Sequence, residues 1–177
     1  MNRFLWIGLI AITSMTDGVP IAKAQVGNLL RRGPKIEVIK TTDLASLLDQ
    51  QQQIEETARQ TGQQSKPAKF VLVDVRSDAE TKVSIIPGAI TKTQYEENRS
   101  KYEGRTVIAY CTFGGRSGKY ATQLAKAGIQ VKNYEGSILD WVKNDLPLVT
   151  RQGVPTNRVH TYSDQYDVPA GYQQVTD

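Results

Sequence analysis

Two uninterrupted apolar runs, each closed by a polar residue, set the frame of this chain. Phe70-Val71-Leu72-Val73 ends at Asp74, and Thr106-Val107-Ile108-Ala109-Tyr110 ends at Cys111. A strand with one wet face alternates apolar and polar residues. Short continuous runs instead fit strands covered on both faces, as in parallel sheets. A third, shorter run covers 129–131, and the stretch from Lys35 to Lys40 supplies Ile36, Val38 and Ile39 as a first strand. Helical stretches are predicted between them at 94–102, 117–127 and 138–144. An earlier helix follows Thr41 or Thr42, either of which can cap it, with Leu44, Leu47 and Leu48 as its apolar stripe. Strand–helix alternation around buried strands predicts an α/β fold, a central parallel β-sheet flanked by helices on both faces. Residues 35–149 carry the pattern, enough for one domain.

The flanks read differently. Residues 1–24 have the form of a signal peptide: Arg3, an apolar run from Phe4 to Met15, the breakers Gly18 and Pro20, and small residues in Ala22-Lys23-Ala24. The apolar run is shorter than the roughly 20 residues a membrane span needs. The expected product is exported, periplasmic or secreted, with no stable membrane span after cleavage. Residues 25–34 read as a linker. A Gln-rich polar insertion at about 50–66 reads as a solvated helix extension and loop, with partner docking as the alternative. Residues 150–177 read as a polar, solvated C-terminal tail without a core of its own, holding His160, with Tyr162, Tyr166 and Tyr172 as candidate docking surface the alternative.

Composition removes several classes of function. A net charge of +4 is too small for a strongly cationic nucleic-acid binder. One cysteine excludes an intrachain disulfide, and one cysteine with one histidine leaves no plausible zinc site. No dinucleotide glycine fingerprint and no Walker loop is present. The expectation is therefore no metal, no cofactor and no nucleic-acid partner.

In open parallel sheets, ligands bind beyond the carboxyl ends of the strands. Two polar elements fall there, Asp74-Val75-Arg76 and Cys111-Thr112-Phe113-Gly114-Gly115-Arg116-Ser117. A strand, a tight loop and a helix in succession point backbone N–H groups into one concavity. Gly114 and Gly115 permit the backbone angles of such a loop, Ser117 is placed to cap the next helix, and Arg116 adds positive charge. A thiol at that mouth is expected to ionise readily, with a pKa lowered from about 8.5 to between roughly 3.5 and 7.5. Cys111 is accordingly the candidate catalytic nucleophile. Thr112, Phe113, Gly114, Gly115, Arg116 and Ser117 form its candidate anion cradle. The competing reading is an inert core thiol, which suits a mid-strand cysteine better than one opening a Gly-Gly-Arg loop.

Four motifs stand in order along the chain. Cys111, Gly114, Arg116 and Ser117 fit the pattern Cys-x-x-Gly-x-Arg-Ser; Asp74-Val75-Arg76 and Ile86-Pro87-Gly88-Ala89 precede them, and Glu135-Gly136-Ser137-Ile138 with Trp141 follows. With these, the chain resembles a single-domain rhodanese over about residues 36–149. The resemblance implies a rhodanese fold and sulfurtransferase activity. Cys111 would take sulfane sulfur from a small anionic donor such as thiosulfate or polysulfide. The resulting persulfide would pass it to a thiol or cyanide acceptor, or to a protein sulfur partner. Two positions depart from the pattern: Ile85 stands where many members have His, and Ser137 where many have a second Gly. Asp74 and Arg76 are candidate supporting residues, organising the loop or helping an anion approach; a buried ion pair is the reading preferred here. His160 lies far in sequence from the loop, so a Cys–His pair would need the tail to fold back.

Two other functions compete. Cys-dependent phosphatases and arsenate reductases use Cys-x5-Arg loops, whereas this loop is Cys-x4-Arg and contains no carboxylate to act as general acid. A non-enzymatic persulfide carrier or sensor, or a docking module of rhodanese type, would be marked by loss of the cysteine, which is present.

Overall fold

The computed structural model describes residues 33–176. Residues 1–24, expected to be a signal peptide, and residues 25–32 of the expected linker lie outside the described residues. The two apolar runs become adjacent parallel strands, β2 (Phe70–Asp74) and β4 (Thr106–Tyr110), paired in register from Phe70 opposite Thr106 to Asp74 opposite Tyr110. With β1 (Glu37–Val38), β3 (Ile90–Thr91) and β5 (Val131–Asn133) they form a five-stranded parallel sheet in the order β1-β5-β4-β2-β3.

Both faces are covered, which explains the lack of alternation. Leu72, Ile108 and Tyr110 point into one cluster with Leu44, Ile86, Tyr134, Ile138, Trp141 and Leu148. Val71, Val73, Val107 and Ala109 point into the other, with Tyr95, Tyr120 and Leu124. Successive strand residues face opposite sides, so only a fully apolar run can serve two cores.

The helices are α1 (Thr41–Gln60), α2 (Asp78–Val83), α3 (Lys92–Glu97), α4 (Gly115–Lys126) and α5 (Ser137–Lys143). Helix α1 carries the Gln-rich stretch to Gln60, supported on its wet side by Gln51 donating to Glu55 and Gln50 to Ser46, each four residues apart. Among the described residues no helix is long and apolar enough to cross a membrane.

Several expected boundaries shift. Lys40, not Thr41 or Thr42, stands at the α1 cap; Thr41 is already helical, and its hydroxyl turns inward to the Tyr134 hydroxyl at 2.9 Å and to Asp140. The expected helix at 94–102 divides into α3, opened by a Thr91–Gln94 capping box, and a 3₁₀ turn at Arg99–Tyr102. The third strand lies at 131–133, because Ile129 belongs to the turn that ends α4 and donates to the Leu124 carbonyl at 3.0 Å.

The largest correction concerns the C-terminal residues, which are not a loose tail. Strand β6 (Leu148–Val149) pairs antiparallel with β7 (Pro155–Thr156), and β8 (Arg158–His160) pairs parallel with β9 (Gln173–Val175). Val159 is fully buried in the main cluster, with Val168 and Tyr172 packed against it. The Tyr172 hydroxyl donates to the Leu146 carbonyl at 2.6 Å. A few apolar residues scattered among polar ones leave no periodic signal. They suffice to dock the segment because the domain already supplies the core.

Candidate active site

The strand order fixes where a site can form. From β2 the chain moves outward to β3, and from β4 it moves outward on the other side to β5. The crevice between the carboxyl ends of β2 and β4 is thus where the order reverses. Asp74 ends one of these strands and Cys111 follows the other.

Cys111 is 1 % exposed. Its sulfur lies 3.1 Å from the Gly114 nitrogen, which donates to it, 3.6 Å from the Ser117 hydroxyl and 3.9 Å from the Ser137 hydroxyl. The turn that aims these groups depends on Gly114. Its φ is +93°, and a Cβ there would meet the Glu135 carbonyl oxygen at 2.5 Å. Gly115 has no such constraint: it is the first residue of α4, and a Cβ on it would meet only the Phe113 ring at 3.9 Å. Ser117 is not the cap expected of it. Gly114 holds the cap position, and the Ser117 hydroxyl donates back to the Gly114 carbonyl at 3.0 Å from within the first turn.

Helix α5 grips the back of the loop. Ile138 N–H donates to the Cys111 carbonyl at 3.1 Å, and Leu139 N–H to the Thr112 carbonyl at 3.2 Å. The Ser137 hydroxyl accepts from Cys111 N–H at 3.0 Å and donates to the Tyr134 carbonyl at 2.8 Å. Ser137 adopts φ +55°, the left-handed region that a second glycine would occupy without cost.

The thiol is favoured in its ionised form, and the inward-pointing N–H groups of the loop and the helix start are the cause, as the sequence predicts. Burial pushes the Cys111 pKa up. The backbone N–H and hydroxyl of Ser117, with the amides of Phe113 and Gly114, outweigh it and hold the pKa below the usual thiol value. Arg116 stands at the loop's end as expected, and its charge is fixed there by a carboxylate. Its two terminal nitrogens each lie 2.7 Å from an oxygen of Glu80, and one also lies 2.7 Å from the Thr112 hydroxyl. Burial opposes ionisation of Glu80, but hydrogen bonds from Arg116 and Ser77 bring its pKa down to about 2. The pair therefore stays charged across the physiological range and nearly cancels at the mouth.

Asp74 and Arg76 form an ion pair at 2.7 Å, with both side chains fully buried. Arg76 also donates to the Ser84 carbonyl at 2.6 Å and the His160 carbonyl at 3.4 Å. The pair ties β2 to the segment before β3 and to β8. On the outer side, Tyr166 stacks on Phe113 with ring centroids 5.4 Å apart, and the Arg116 guanidinium lies 5.6 Å from the Tyr162 ring centre. The expected separation of the C-terminal residues from the loop is thus also corrected. His160 is buried nearby, its Nδ1 accepting from Tyr162 N–H at 3.1 Å.

Two residues at the site, Glu80 and Ser137, are absent from the sequence-based candidates. Glu80 had one signal, the Ser77-x-x-Glu80 capping box, which the structure forms; nothing in the sequence pairs it with Arg116. The serine at 137 was visible only as a departure from a pattern. Tyr162 and Tyr166 belong to the tail, where the sequence offers them as candidate docking surface but gives no sign that they lie against the Cys111 loop.

Replacing Gly114 by alanine is expected to cost about 2–3 kcal/mol, from the left-handed backbone and the collision with Glu135 together. Denaturant unfolding measures this, and a loss under about 0.5 kcal/mol would contradict the geometry.

A family model described as the rhodanese-like domain matches residues 55–144. Among curated proteins, an uncharacterised protein of Synechocystis is 34 % identical over 89 residues, covering 48 % of this chain and 50 % of that one. A protein of Allochromatium vinosum named sulfurtransferase is 32 % identical over 87 residues, covering 47 % of this chain and 81 % of that one. A tRNA uridine(34) hydroxylase of Bordetella pertussis is 32 % identical over 90 residues, with 45 % and 37 % covered. This chain therefore spans half the length of the first of these relatives. Among solved structures, a thiosulfate sulfurtransferase from Pseudomonas aeruginosa aligns with a TM-score of 0.49 at 19 % identity, over 70 % of this chain and 21 % of that one. The matched stretch runs from the C-terminal part of α1 through α5 and contains the Cys111 loop, its Glu80 brace and the α5 grip. By that match across half its length, the chain belongs to the rhodanese-like domain family.

Proposed function

We propose that the protein is a sulfurtransferase that moves sulfane sulfur from a small anionic donor, thiosulfate being the type, to a thiophilic acceptor through a persulfide on Cys111. The observation that carries the proposal is the placement of the Cys111 sulfur among inward-pointing donors in a loop of four intervening residues. Such a cradle stabilises a thiolate and, one atom further out, a terminal sulfur anion. The Allochromatium relative named sulfurtransferase supports the reading.

The steps balance without a cofactor. The Cys111 thiolate attacks the outer sulfur of thiosulfate, the S–S bond of the donor breaks, and sulfite leaves with the electron pair. Cyanide or a thiolate then attacks the outer persulfide sulfur, and Cys111 leaves as the thiolate. The loop amides receive the negative charge before and after each transfer, so little reorganisation is needed. Glu80 holds the Arg116 guanidinium against Thr112 and keeps the loop shape. Asp74 and Arg76 hold the strand ends that flank it.

The test is thiocyanate production from thiosulfate and cyanide. The proposal expects turnover with double-displacement kinetics; an aryl phosphate hydrolysed faster than thiosulfate is consumed would overturn it. The cradle also predicts a pH profile. The rate of Cys111 alkylation should rise with a midpoint below the ordinary thiol value of about 8.5. Ser117→Ala removes one donor to the thiolate, so its midpoint should move upward. An unmoved midpoint would show that Ser117 does not stabilise the ionised form.

A further inference from the structure

The segment after the family-matched stretch supplies one wall of the site mouth. Tyr166 lies on Phe113 of the Cys111 loop, and Tyr162 lies under Arg116 of the same loop. The wall is braced. The Gln174 amide nitrogen on β9 lies within hydrogen-bond distance of the Thr161 hydroxyl at 2.8 Å, the Ser163 carbonyl at 3.2 Å and the Tyr166 carbonyl at 2.9 Å. Tyr162 adopts φ +70°, which a bulky side chain adopts only when its surroundings impose it. The backbone is thus held in an uncommon form that places this ring at the loop.

The wall is nonetheless open to solvent. Phe113 is 51 % and Tyr162 58 % exposed, and both border the loop that opens at the nearly buried Cys111. Cyanide, two atoms long, has no body to lay on these rings. A larger acceptor has to lay its body on the rim while its thiol reaches the floor. The rim offers aromatic faces and hydroxyls, while the Arg116 charge is engaged by Glu80. The connecting residues include Asp164 and Asp167 and no basic side chain. This chemistry suits amide and aliphatic surface and disfavours an anionic body.

We propose that Tyr162 and Tyr166 are specificity-determining residues, and that the acceptor they select is a thiol carried on a peptide. The inference rests on the sulfurtransferase reading above. The peptide thiolate attacks the outer sulfur of the Cys111 persulfide, the bond between the two persulfide sulfurs breaks, and the Cys111 thiolate is released with the sulfur on the peptide.

The test compares two acceptors on thiosulfate-loaded protein: cyanide, and the blocked neutral tripeptide Ala-Cys-Ala. Second-order discharge rates are measured for the natural chain, Tyr162→Ala, Tyr166→Ala and the double variant. Loading of each variant, read by intact mass, verifies that its site is assembled. The ratio of the peptide rate to the cyanide rate is expected to fall about fivefold for each single variant, and further for the double. A ratio that stays constant, including the case where both rates fall together, would make the tyrosines loop supports and overturn the proposal. A rising ratio would make them a barrier and overturn it as well. If the natural chain discharges to cyanide but not to the peptide, this inference fails alone. Failure to load at all would show as an unchanged mass before any acceptor is added, and would remove the sulfurtransferase reading with it.

Discussion

Cys111→Ser is expected to lower thiocyanate formation by about a thousandfold or more while leaving the fold intact. The chain has one cysteine, so no second thiol can take over the sulfur. A serine hydroxyl in the same cradle is a far poorer nucleophile at neutral pH and cannot form a persulfide. The substitution replaces a buried sulfur by a slightly smaller oxygen, and the loop retains the Gly114 turn and the α5 grip on its carbonyls. Stability should therefore change by about 1 kcal/mol or less. Loss of turnover together with cooperative unfolding near the natural midpoint isolates the chemistry. Substantial residual turnover in the serine variant would mean that sulfur passes elsewhere.

Arg76→Met is expected to destabilise the domain by about 3–5 kcal/mol, the cost of leaving a buried carboxylate without its partner. Both side chains of the pair are at 0 % exposure, so solvent does not screen them. The arginine also supplies donors to the Ser84 and His160 carbonyls, which the thioether cannot replace. Asp74→Asn should fall in the same range, since it leaves the guanidinium charge buried. Urea unfolding reads both, and a loss under about 1 kcal/mol in either would show that the pair is dispensable to the fold. This expectation separates the pair from the catalytic loop: its variants should lose stability first, and activity only as folded protein is lost.

What the sequence revealed of this site follows from how far each signal reaches along the chain. Cys111 and Asp74 stood out because a continuous apolar run has to stop at the sheet's edge, and the edge is where ligands bind. Gly114 stood out because few residues besides glycine adopt its backbone angles. Both are local signals. The Glu80–Arg116 brace spans 36 residues and crosses from α2 to α4, so each residue alone reads as an ordinary surface charge. The sequence therefore shows the Arg116 charge beside the thiol but not the carboxylate that holds it. Ser117 was placed three residues off its true position in the helix, because a serine before an apolar stripe resembles a cap and the glycine that caps the helix has no side chain to reveal it. The C-terminal segment was misread for the opposite reason. Its docking depends on Val159 entering a core built by other elements, and on Gln174 bracing a loop from the neighbouring strand. Neither has a periodic pattern. The aromatic wall at the mouth follows from that docking and was hidden with it.

The persulfide itself can be read directly by intact-mass spectrometry after brief exposure to thiosulfate, followed by a cyanide chase. The natural chain is expected to gain the mass of one sulfur atom and lose it to cyanide, with Cys111→Ser gaining nothing. An unchanged mass on the natural chain with both thiosulfate and polysulfide, or a sulfur adduct that persists in Cys111→Ser, would contradict sulfur transfer through this loop.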